Sequence, residues 1–258
     1  MIYYKTQKEI DTLEKGGKIL AKILQQVASE VRPGMGTQQL DELAERLILQ
    51  SGGQPSFKNY RPSSSDRPFP TTLCTSINNE VVHAPAIPNR ILKEGDIIGL
   101  DIGMQYKGLY TDMAVTVGVG QISKQAQRLL NVTQEALNLA IEQIKEGNHL
   151  SDIAAAIQNY AEKNGFSVVR ELVGHGVGKK VHEEPNVPNF VTDESKLIPI
   201  RRGMVLAFEP MINVGGWQID TADDNMTFVT ADGSLSAQFE HTVALDHNGE
   251  IRVITAFE

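Results

Sequence analysis

Residues 95–113 read GDIIGLDIGMQYKGLYTDM, and this stretch decides the fold prediction. Residues 97–102 and 111–117 are short apolar or alternating runs, which are typical of β-strands. The connection between them is short, so the two strands are predicted to pair antiparallel around a turn, and we first consider a turn centred on residues 106–107. The chain is therefore expected to contain an antiparallel sheet.

Asp101 and Asp112 lie on the two strands of this predicted hairpin. With the turn at residues 106–107 they are directly opposed, and their Cβ atoms are about 5 Å apart. Two opposed negative charges destabilise a hairpin unless a cation lies between them. The pair therefore indicates either a cation site or a solvated hairpin edge with two surface acids.

A similar stretch occurs 108 residues later in the chain. Residues 95–101 (GDIIGLD) and 203–209 (GMVLAFE) each contain a glycine, an apolar run and an acid six residues after that glycine. We interpret the match as a degenerate two-fold repeat within one domain, 1–258, with half-repeats of approximately 1–120 and 121–258. Coincidence among short patterns is the alternative.

Apolar residues at three- and four-residue steps predict four helices, which fall into two pairs. The first helix begins with a T-x-x-E capping box formed by Thr6 and Glu9. Helix pairs combined with short links between strands predict an α+β fold with a mainly antiparallel sheet. The helices are predicted over residues 6–31, 37–50, 123–145 and 151–163, and further strands over residues 168–173, 205–212 and 238–245.

The composition excludes several classes of protein. The formal net charge of −8 over 258 residues argues against direct nucleic-acid binding, which depends on clustered Lys and Arg. One cysteine, Cys74, excludes an internal disulfide framework. No apolar run is long enough to span a membrane, and the first ten residues lack the features of a secretory signal. We expect a cytoplasmic protein without membrane association.

Residues 174–185 read GHGVGKKVHEEP and place His175 and His182 seven residues apart around a glycine-rich loop. Glycine lets backbone and ligand approach each other closely at such a position. The segment lacks the second histidine of a zinc-binding H-E-x-x-H helix, and its glycine spacing differs from that of a P-loop. The two histidines are therefore either structural or ligands, and nucleotide binding is not supported.

Glu209 and Glu240 each lie within an apolar or strand-like run, VLAFEPMI and SAQFEHTVAL. An unpaired carboxylate is costly to bury, so such acids are either paired with a basic residue or bound to a metal. Four carboxylates with one histidine favour metals such as Mn, Fe, Co or Mg over thiolate-preferring ones. Carboxylates that bridge two cations form the site of a two-metal hydrolase.

Taken together, these motifs resemble the type I methionine aminopeptidases, which are pita-bread metallopeptidases. The resemblance covers nearly the whole chain and rests on DIG…TDMA, GHGVG…HEEP, FEPMI and SAQFEHT as a set. It implies two pseudo-symmetric halves around a curved antiparallel sheet with helices outside. It also implies removal of the N-terminal methionine from nascent proteins, with a preference for a small uncharged second residue.

The resemblance further implies cofactors, partners and residue roles. Two divalent metal ions (Co, Mn, Fe, Zn or Ni) would activate the water that attacks the scissile amide carbonyl. The expected substrates are nascent polypeptide N-termini, handled by a monomeric cytoplasmic enzyme with transient ribosome contact. By matching position, the metal ligands would be Asp101, Asp112, His175, Glu209 and Glu240, the catalytic residues His83, His182 and the base Glu209, and the substrate-binding residues His83, His182, Phe57, Tyr60, Phe69 and Cys74.

Four features depart from the family pattern. Val181 stands where relatives usually carry phenylalanine, and Met226 stands where they usually carry tryptophan. The segments 61–68 and 214–226 look longer than usual. These differences affect the pocket for the methionine side chain, and Met226 becomes a further candidate lining residue.

Two other functions remain open on the sequence. A proline-directed peptidase of the same fold would cleave X-Pro bonds, although such relatives generally carry an extra N-terminal domain. A non-catalytic binding module would have lost metal ligands, whereas the five-ligand set is complete in this sequence.

Overall fold

The structure is a computed structural model that describes residues 1–61 and 67–257. Its helices follow the apolar periodicity, and the predicted capping box is present. The Thr6 hydroxyl accepts from the backbone N–H of Glu9, and the Glu9 carboxylate accepts from the backbone N–H of Thr6. The helices in the described residues are α1 (Gln7–Ser29), α2 (Thr37–Gln50), α3 (Lys124–Ile141) and α4 (Leu150–Lys163).

Short strands make up most of the remaining regular structure, fifteen of them within residues 1–61 and 67–257. Their pairings are antiparallel, as the short links between strands predict. They are β1 (Gln54–Pro55), β2 (Leu73–Ile77), β3 (Glu80–Val82), β4 (Ile97–Tyr106), β5 (Leu109–Gly118), β6 (Ser167–Val168), β7 (Gly174–Gly176), β8 (Glu183–Val187), β9 (Val205–Phe208), β10 (Met211–Asn213), β11 (Ile219–Thr221), β12 (Phe228–Thr230), β13 (Ser236–Gln238), β14 (Glu240–Leu245) and β15 (Ile251–Val253).

The strands form one large sheet and two small ones. The large sheet has the order β1-β4-β5-β14-β9-β7-β8, with β2 also pairing with β4 and β15 also pairing with β14. The small sheets have the orders β13-β10-β6 and β11-β12-β3. The large sheet thus places β4, β5, β14, β9 and β7 side by side, and these strands carry or adjoin the candidate ligands.

The β4–β5 hairpin differs in register from the prediction. Its two-residue turn is Lys107-Gly108, where both residues have positive φ, 50° and 82°. Asp101 is opposite Ala114, so Asp101 and Asp112 are diagonal neighbours on one face and not directly opposed. The prediction of a turn at residues 106–107 was wrong because a turn of this kind favours glycine at its second position.

Three predicted strands are interrupted in the structure. Of residues 168–173 only the first is in a strand, residues 205–212 divide at Glu209-Pro210, and residues 238–245 divide at Phe239. At each break the chain passes between the large sheet and the β13-β10-β6 sheet. Both sheets are buried, so the run of apolar residues continues through each break. The breaks therefore cannot be recognised from the apolar pattern of the sequence.

One face of the large sheet packs against helices. Ile98, Leu100 and Ile102 of β4 are buried in the main core with Leu24 of α1. Successive side chains of a strand point to opposite faces, so Asp101 lies on the other face. The same alternation places the hydrophobic core on one side of β4 and the candidate ligand on the other.

Three sequence predictions remain to be compared with the structure: the lack of a membrane span, the two half-repeats and the long loop at 61–68. No helix in the described part of the chain is long and apolar enough to cross a membrane. The division into half-repeats 1–120 and 121–258 stays a prediction. The longer loop at 61–68 also stays a prediction, since residues 62–66 lie outside the described residues.

Candidate active site

The five predicted metal ligands come together on neighbouring strands of the large sheet. One oxygen or nitrogen atom from each of Asp112, His175 and Glu240 lies within 4.8 Å of the others. Nε2 of His175 is 3.6 Å from Oε1 of Glu209, and Asp101 lies on β4 beside Asp112. All five side chains are buried. The donor atoms of Asp112, His175 and Glu240 are therefore close enough together to hold a cation jointly.

Strand register explains how the acids meet. Ala114 of β5 is opposite Asp101 of β4 on one side and opposite Glu240 of β14 on the other. The alanine side chain is small, so space remains between the two carboxylates. Asp112 lies two residues before Ala114 and presents its side chain to the same face. One short side chain thus sits at the centre of three acids.

Two glycines allow His175 to reach the cluster. A Cβ atom at Gly174 would collide with the carbonyl oxygen of Ala207 in β9, and one at Gly176 would collide with the backbone of β8. Nδ1 of His175 is 2.9 Å from the carbonyl oxygen of Gly176 and donates to it. Nε2 then carries no hydrogen, and its lone pair points toward Glu209 and is available to bind a metal ion.

The protein environment opposes charge on these groups. Burial raises the pKa of Asp101 to about 7. Burial, together with repulsion from neighbouring carboxylates, raises the pKa of Asp112, Glu209 and Glu240 well above the ordinary range. Burial also lowers the pKa of His175 to about 3, so its ring is neutral at pH 7. A bound divalent cation would reverse the penalty on the carboxylates.

Three carboxylate oxygens in the cluster have no hydrogen-bond partner among the described residues. They are Oδ1 of Asp101, Oδ1 of Asp112 and Oε1 of Glu240. Buried polar atoms in folded proteins normally have such a partner. Carboxylate oxygens with one imidazole nitrogen suit divalent cations of hard or borderline character. The residues present therefore fit a divalent metal site.

His83 and His182 lie beside the acid cluster. His83 follows β3 with a left-handed backbone (φ 61°), and its ring packs edge-on against Phe228 at 5.6 Å. Nδ1 of His182 is 2.7 Å from the Tyr60 hydroxyl, and the His182 ring is 4.4 Å from that of His175. Both histidines thus project toward the place where a substrate bound at the acids would lie.

A cavity of about 480 Å³ is lined by the acid cluster together with apolar side chains, and we call it the apolar cavity. The predicted substrate-binding residues line it, and Met226 does so as well. The sequence analysis missed three further residues that line the cavity. Their positions depend on the pairing of β12 with β3 and on a distant loop, and no local sequence pattern reveals either. The predicted lining residues are Phe57, Tyr60, Phe69, Cys74 and Met226, and the missed ones are Arg67, Asn225 and Phe228.

Backbone contacts fix the aromatic wall of this cavity. The N–H of Phe69 donates to the carbonyl oxygen of Tyr60 at 2.9 Å, and the N–H of Tyr60 donates to that of Phe57 at 2.8 Å. Val181, one of the departures from the family pattern, packs in the same apolar cluster as Phe57 and Cys74. Valine is smaller than the usual phenylalanine, so it leaves more room at this wall.

Comparison with known proteins places the chain in a family. Metallopeptidase family M24 matches residues 11–247. The chain belongs to family M24. It is 46% identical to methionine aminopeptidase from Clostridium perfringens over 250 residues, which cover 96% of this chain and 97% of the relative. It is 43% identical to methionine aminopeptidase 1 from Bacillus subtilis, also over 250 residues, with the same coverage of 96% and 97%.

Two solved structures confirm the fold prediction. The crystal structure of methionine aminopeptidase from Thermotoga maritima matches with a TM-score of 0.93 at 38% identity, covering 100% of both chains. The prolidase from Pyrococcus horikoshii matches with a TM-score of 0.77 at 19% identity, covering 99% of this chain and 64% of the prolidase. The second likeness shows the fold alone. This M24 metallopeptidase has the pita-bread fold, and its resemblance to the methionine aminopeptidases is confirmed.

Proposed function

We propose that this metallopeptidase removes the N-terminal methionine from nascent proteins, with a preference for a small uncharged second residue. The observation that carries the proposal is the buried acid cluster, with its unpartnered carboxylate oxygens, next to an apolar cavity of about 480 Å³. Methionine aminopeptidases at 38–46% identity over nearly the full length support it. A cytoplasmic, monomeric enzyme in transient contact with the ribosome is part of the proposal.

The acid cluster would hold two divalent metal ions, of Co, Mn, Fe, Zn or Ni. Asp101, Asp112 and Glu240 would bind both ions, and His175 and Glu209 would complete the coordination. When bound, the ions would polarise the scissile carbonyl and lower the pKa of a water molecule. The unprotonated Nε2 of His175 and the orphan carboxylate oxygens are the donors that support this assignment.

Glu209 is proposed to act as the base. Its Oε2 accepts a hydrogen bond from the Gln238 side chain at 3.1 Å, and its Oε1 faces His175. A carboxylate held in this position beside the metal ligands can take a proton from water and return it to the leaving amine.

His83 and His182 are proposed to stabilise charge that develops on the substrate. When the Tyr60 hydroxyl donates to Nδ1 of His182, the neutral ring carries its hydrogen on Nε2 and can donate it to the scissile amide. His83 has its ring held edge-on by Phe228, and its donor can reach the tetrahedral intermediate. Tyr60 and Phe228 thereby act as positioning residues.

The apolar cavity is proposed to take the methionine side chain. Phe57, Tyr60 and Phe69 offer aromatic surface, against which a thioether packs favourably. Cys74 is buried, and burial together with the nearby carboxylates raises the pKa of its thiol well above the usual value. The thiol therefore stays protonated and provides a small apolar surface at the cavity floor.

A peptide assay tests the proposed function. The protein is stripped with a chelator, supplied with Mn²⁺, Co²⁺ or Fe²⁺, and compared on Met-Ala-X and Met-Lys-X peptides. We expect methionine release only with metal, and faster release from Met-Ala-X than from Met-Lys-X, as the proposed preference for a small uncharged second residue requires. Methionine release that is independent of metal would contradict the proposal.

Further arms of this assay separate the alternatives. Cleavage of Gly-Pro, without release of methionine from Met-Ala-X, would favour a proline-directed peptidase. Failure to bind any divalent ion, measured by metal analysis after dialysis, would favour a non-catalytic binding module. Bound-metal stoichiometry after anaerobic purification tests the assignment of two ions.

Arg90 is predicted to matter for catalysis although it lies outside the acid cluster. Its guanidinium donates to both carboxylate oxygens of Glu80 (2.5 and 2.6 Å), to the carbonyl and hydroxyl of Thr75 (2.7 and 3.0 Å) and to the carbonyl oxygen of Pro85 (3.0 Å). These bonds join residues on both sides of His83 and so hold the chain segment that carries it. We expect Arg90→Lys to lower kcat about tenfold, because a lysine ammonium cannot make all the hydrogen bonds of the planar guanidinium.

Steady-state kinetics check this prediction. KM should change little, since the apolar cavity remains intact, and circular dichroism should show an unchanged fold. Arg46→Lys, at an exposed position of α2, is the matched control and should leave kcat unchanged. Equal kcat values for Arg90→Lys and Arg46→Lys would contradict a positioning role for Arg90.

A further inference from the structure

A second cavity, of about 490 Å³, adjoins the same centre. It shares His83, His175, His182 and Glu209 with the apolar cavity, and its remaining walls are formed by other residues. Under the proposed function, a methionine side chain occupies the apolar cavity. The rest of the peptide must then leave the reacting centre through the second cavity, which we call the exit groove.

The exit groove has a mixed chemical character. Lys180 and Glu184 contribute charges of both signs, and Leu172 and Val173 contribute apolar surface. An extended peptide advances about 3.3 Å per residue, so the residues after the scissile bond follow the groove in order. A wall of mixed chemistry suits a peptide whose sequence varies from one substrate to the next, whereas the apolar cavity suits one side chain.

Met1 and Tyr3 form part of the groove wall, and Tyr3 supplies an aromatic ring there. The Tyr3 side chain is 37% exposed, and the Lys179 ammonium is 6.0 Å from the centre of its ring. Tyr4, the next residue, is 47% exposed and does not line the groove. The two adjacent tyrosines therefore differ in their relation to the groove.

Lys5 fixes this segment against the body of the protein. Its backbone N–H donates to the carbonyl oxygen of Gly203 at 2.7 Å, and its carbonyl oxygen accepts from Nε2 of His247 at 2.8 Å. Its buried ammonium donates to Glu183 at 2.5 Å and to the carbonyl oxygen of Tyr3 at 3.3 Å. The backbone of Tyr3 is thus held in place, so its ring is presented at the groove with little ordering left to occur on binding.

We propose that Tyr3 is a substrate-binding residue that contacts the third and later residues of the peptide and so favours longer substrates. The proposal rests on the proposed function, because it takes the substrate to be a peptide with methionine in the apolar cavity. The Tyr3 ring offers apolar and π surface to a peptide of any sequence, and Lys180 and Glu184 lie along the same groove. Longer peptides therefore gain contacts that a dipeptide cannot make.

The test compares peptide lengths in the metal-loaded enzyme. Values of kcat/KM are measured for Met-Ala and for a hexapeptide that begins Met-Ala-Ser, in the parent protein and in Tyr3→Ala. We expect the hexapeptide-to-dipeptide ratio to fall about fivefold in Tyr3→Ala, through KM and not kcat. Tyr3→Phe should keep the ratio of the parent, and Tyr4→Ala is the matched control with an unchanged ratio.

Each outcome decides the proposal. An unchanged ratio in Tyr3→Ala, or an equal fall in Tyr3→Ala and Tyr4→Ala, would overturn it. If the parent releases methionine from both peptides and the ratio still does not move, the proposed function stands and only the role of Tyr3 fails. If the parent releases methionine from neither peptide, the proposed function fails, and the role of Tyr3 fails with it.

Discussion

Asp112→Asn should abolish metal binding and methionine release while leaving the metal-free protein as stable as the parent. Asp112 is buried between other carboxylates, and its Oδ1 has no hydrogen-bond partner among the described residues. The pKa of Asp112 is raised, first by burial and then by repulsion from Asp101 and Glu209, so the metal-free protein disfavours a charge on this side chain. Asparagine has nearly the same shape as the neutral acid, so the metal-free fold loses little.

The metal-bound protein should respond very differently to this change. An amide in place of a carboxylate removes one negative ligand from a site that two cations would share. Metal ions contribute several kcal/mol to transition-state stabilisation, so we expect kcat/KM to fall at least about 1000-fold.

Thermal unfolding with and without Mn²⁺ measures the effect on metal binding. The parent should gain about 2.7 kcal/mol at a Mn²⁺ concentration 100 times the Kd, and Asp112→Asn should gain almost nothing. Asp220→Asn, at an exposed position of β11, is the control that removes one negative charge elsewhere. A Mn²⁺-dependent stabilisation of Asp112→Asn equal to that of the parent would refute the ligand assignment.

The helices could be predicted from the sequence because their determinants are local. The capping box of Thr6 and Glu9 and the apolar periodicity fix where α1 begins and which face it buries. The predicted bounds of α2, residues 37–50, agree with the structure for the same reason. The end of α3 was predicted less well, at residue 145, whereas the helix ends at Ile141.

The sheet was predicted less well because its determinants are mostly non-local. The register of the β4–β5 hairpin was missed although Gly108 carried the signal, since a two-residue turn with positive φ favours glycine at its second position. The break at Glu209-Pro210 also had a signal, because proline cannot donate to a ladder. The break at Phe239 had none, because both flanking strands are buried in different sheets.

The residues of the candidate site also divide into those that local sequence motifs reveal and those that depend on non-local strand pairing. The carboxylates and histidines could be named from motifs, because each motif is contiguous in the chain. The apolar cavity could be named only in part, since Phe228 reaches it through the pairing of β12 with β3. The exit groove was not foreseen, because Tyr3 lies far in sequence from every motif that surrounds it.

Lys5→Met should be among the most destabilising substitutions of a residue that no motif marks. The Lys5 ammonium and the Glu183 carboxylate are buried together, 2.5 Å apart. Burial lowers the pKa of Lys5 despite the carboxylate beside it. Removing the two charges from water therefore costs free energy that their attraction must offset. Removing the cation leaves a buried, unpaired carboxylate, and we expect a loss of about 3–5 kcal/mol in the free energy of unfolding.

A double-mutant cycle with Glu183→Gln distinguishes an unpaired charge from lost packing. If the unpaired carboxylate is the cause, the double variant should be more stable than Lys5→Met alone, and urea unfolding should give a coupling of about 1–3 kcal/mol. Additive losses would instead mean that the lysine stem supplies the stability. The Glu183 carboxylate also accepts from the backbone N–H of Lys180 at 2.9 Å, in the loop that carries His182. Lys5→Met should therefore lower kcat as well, and the double variant should recover part of it, because the ion pair holds the loop of His182, a proposed catalytic residue, as well as the fold.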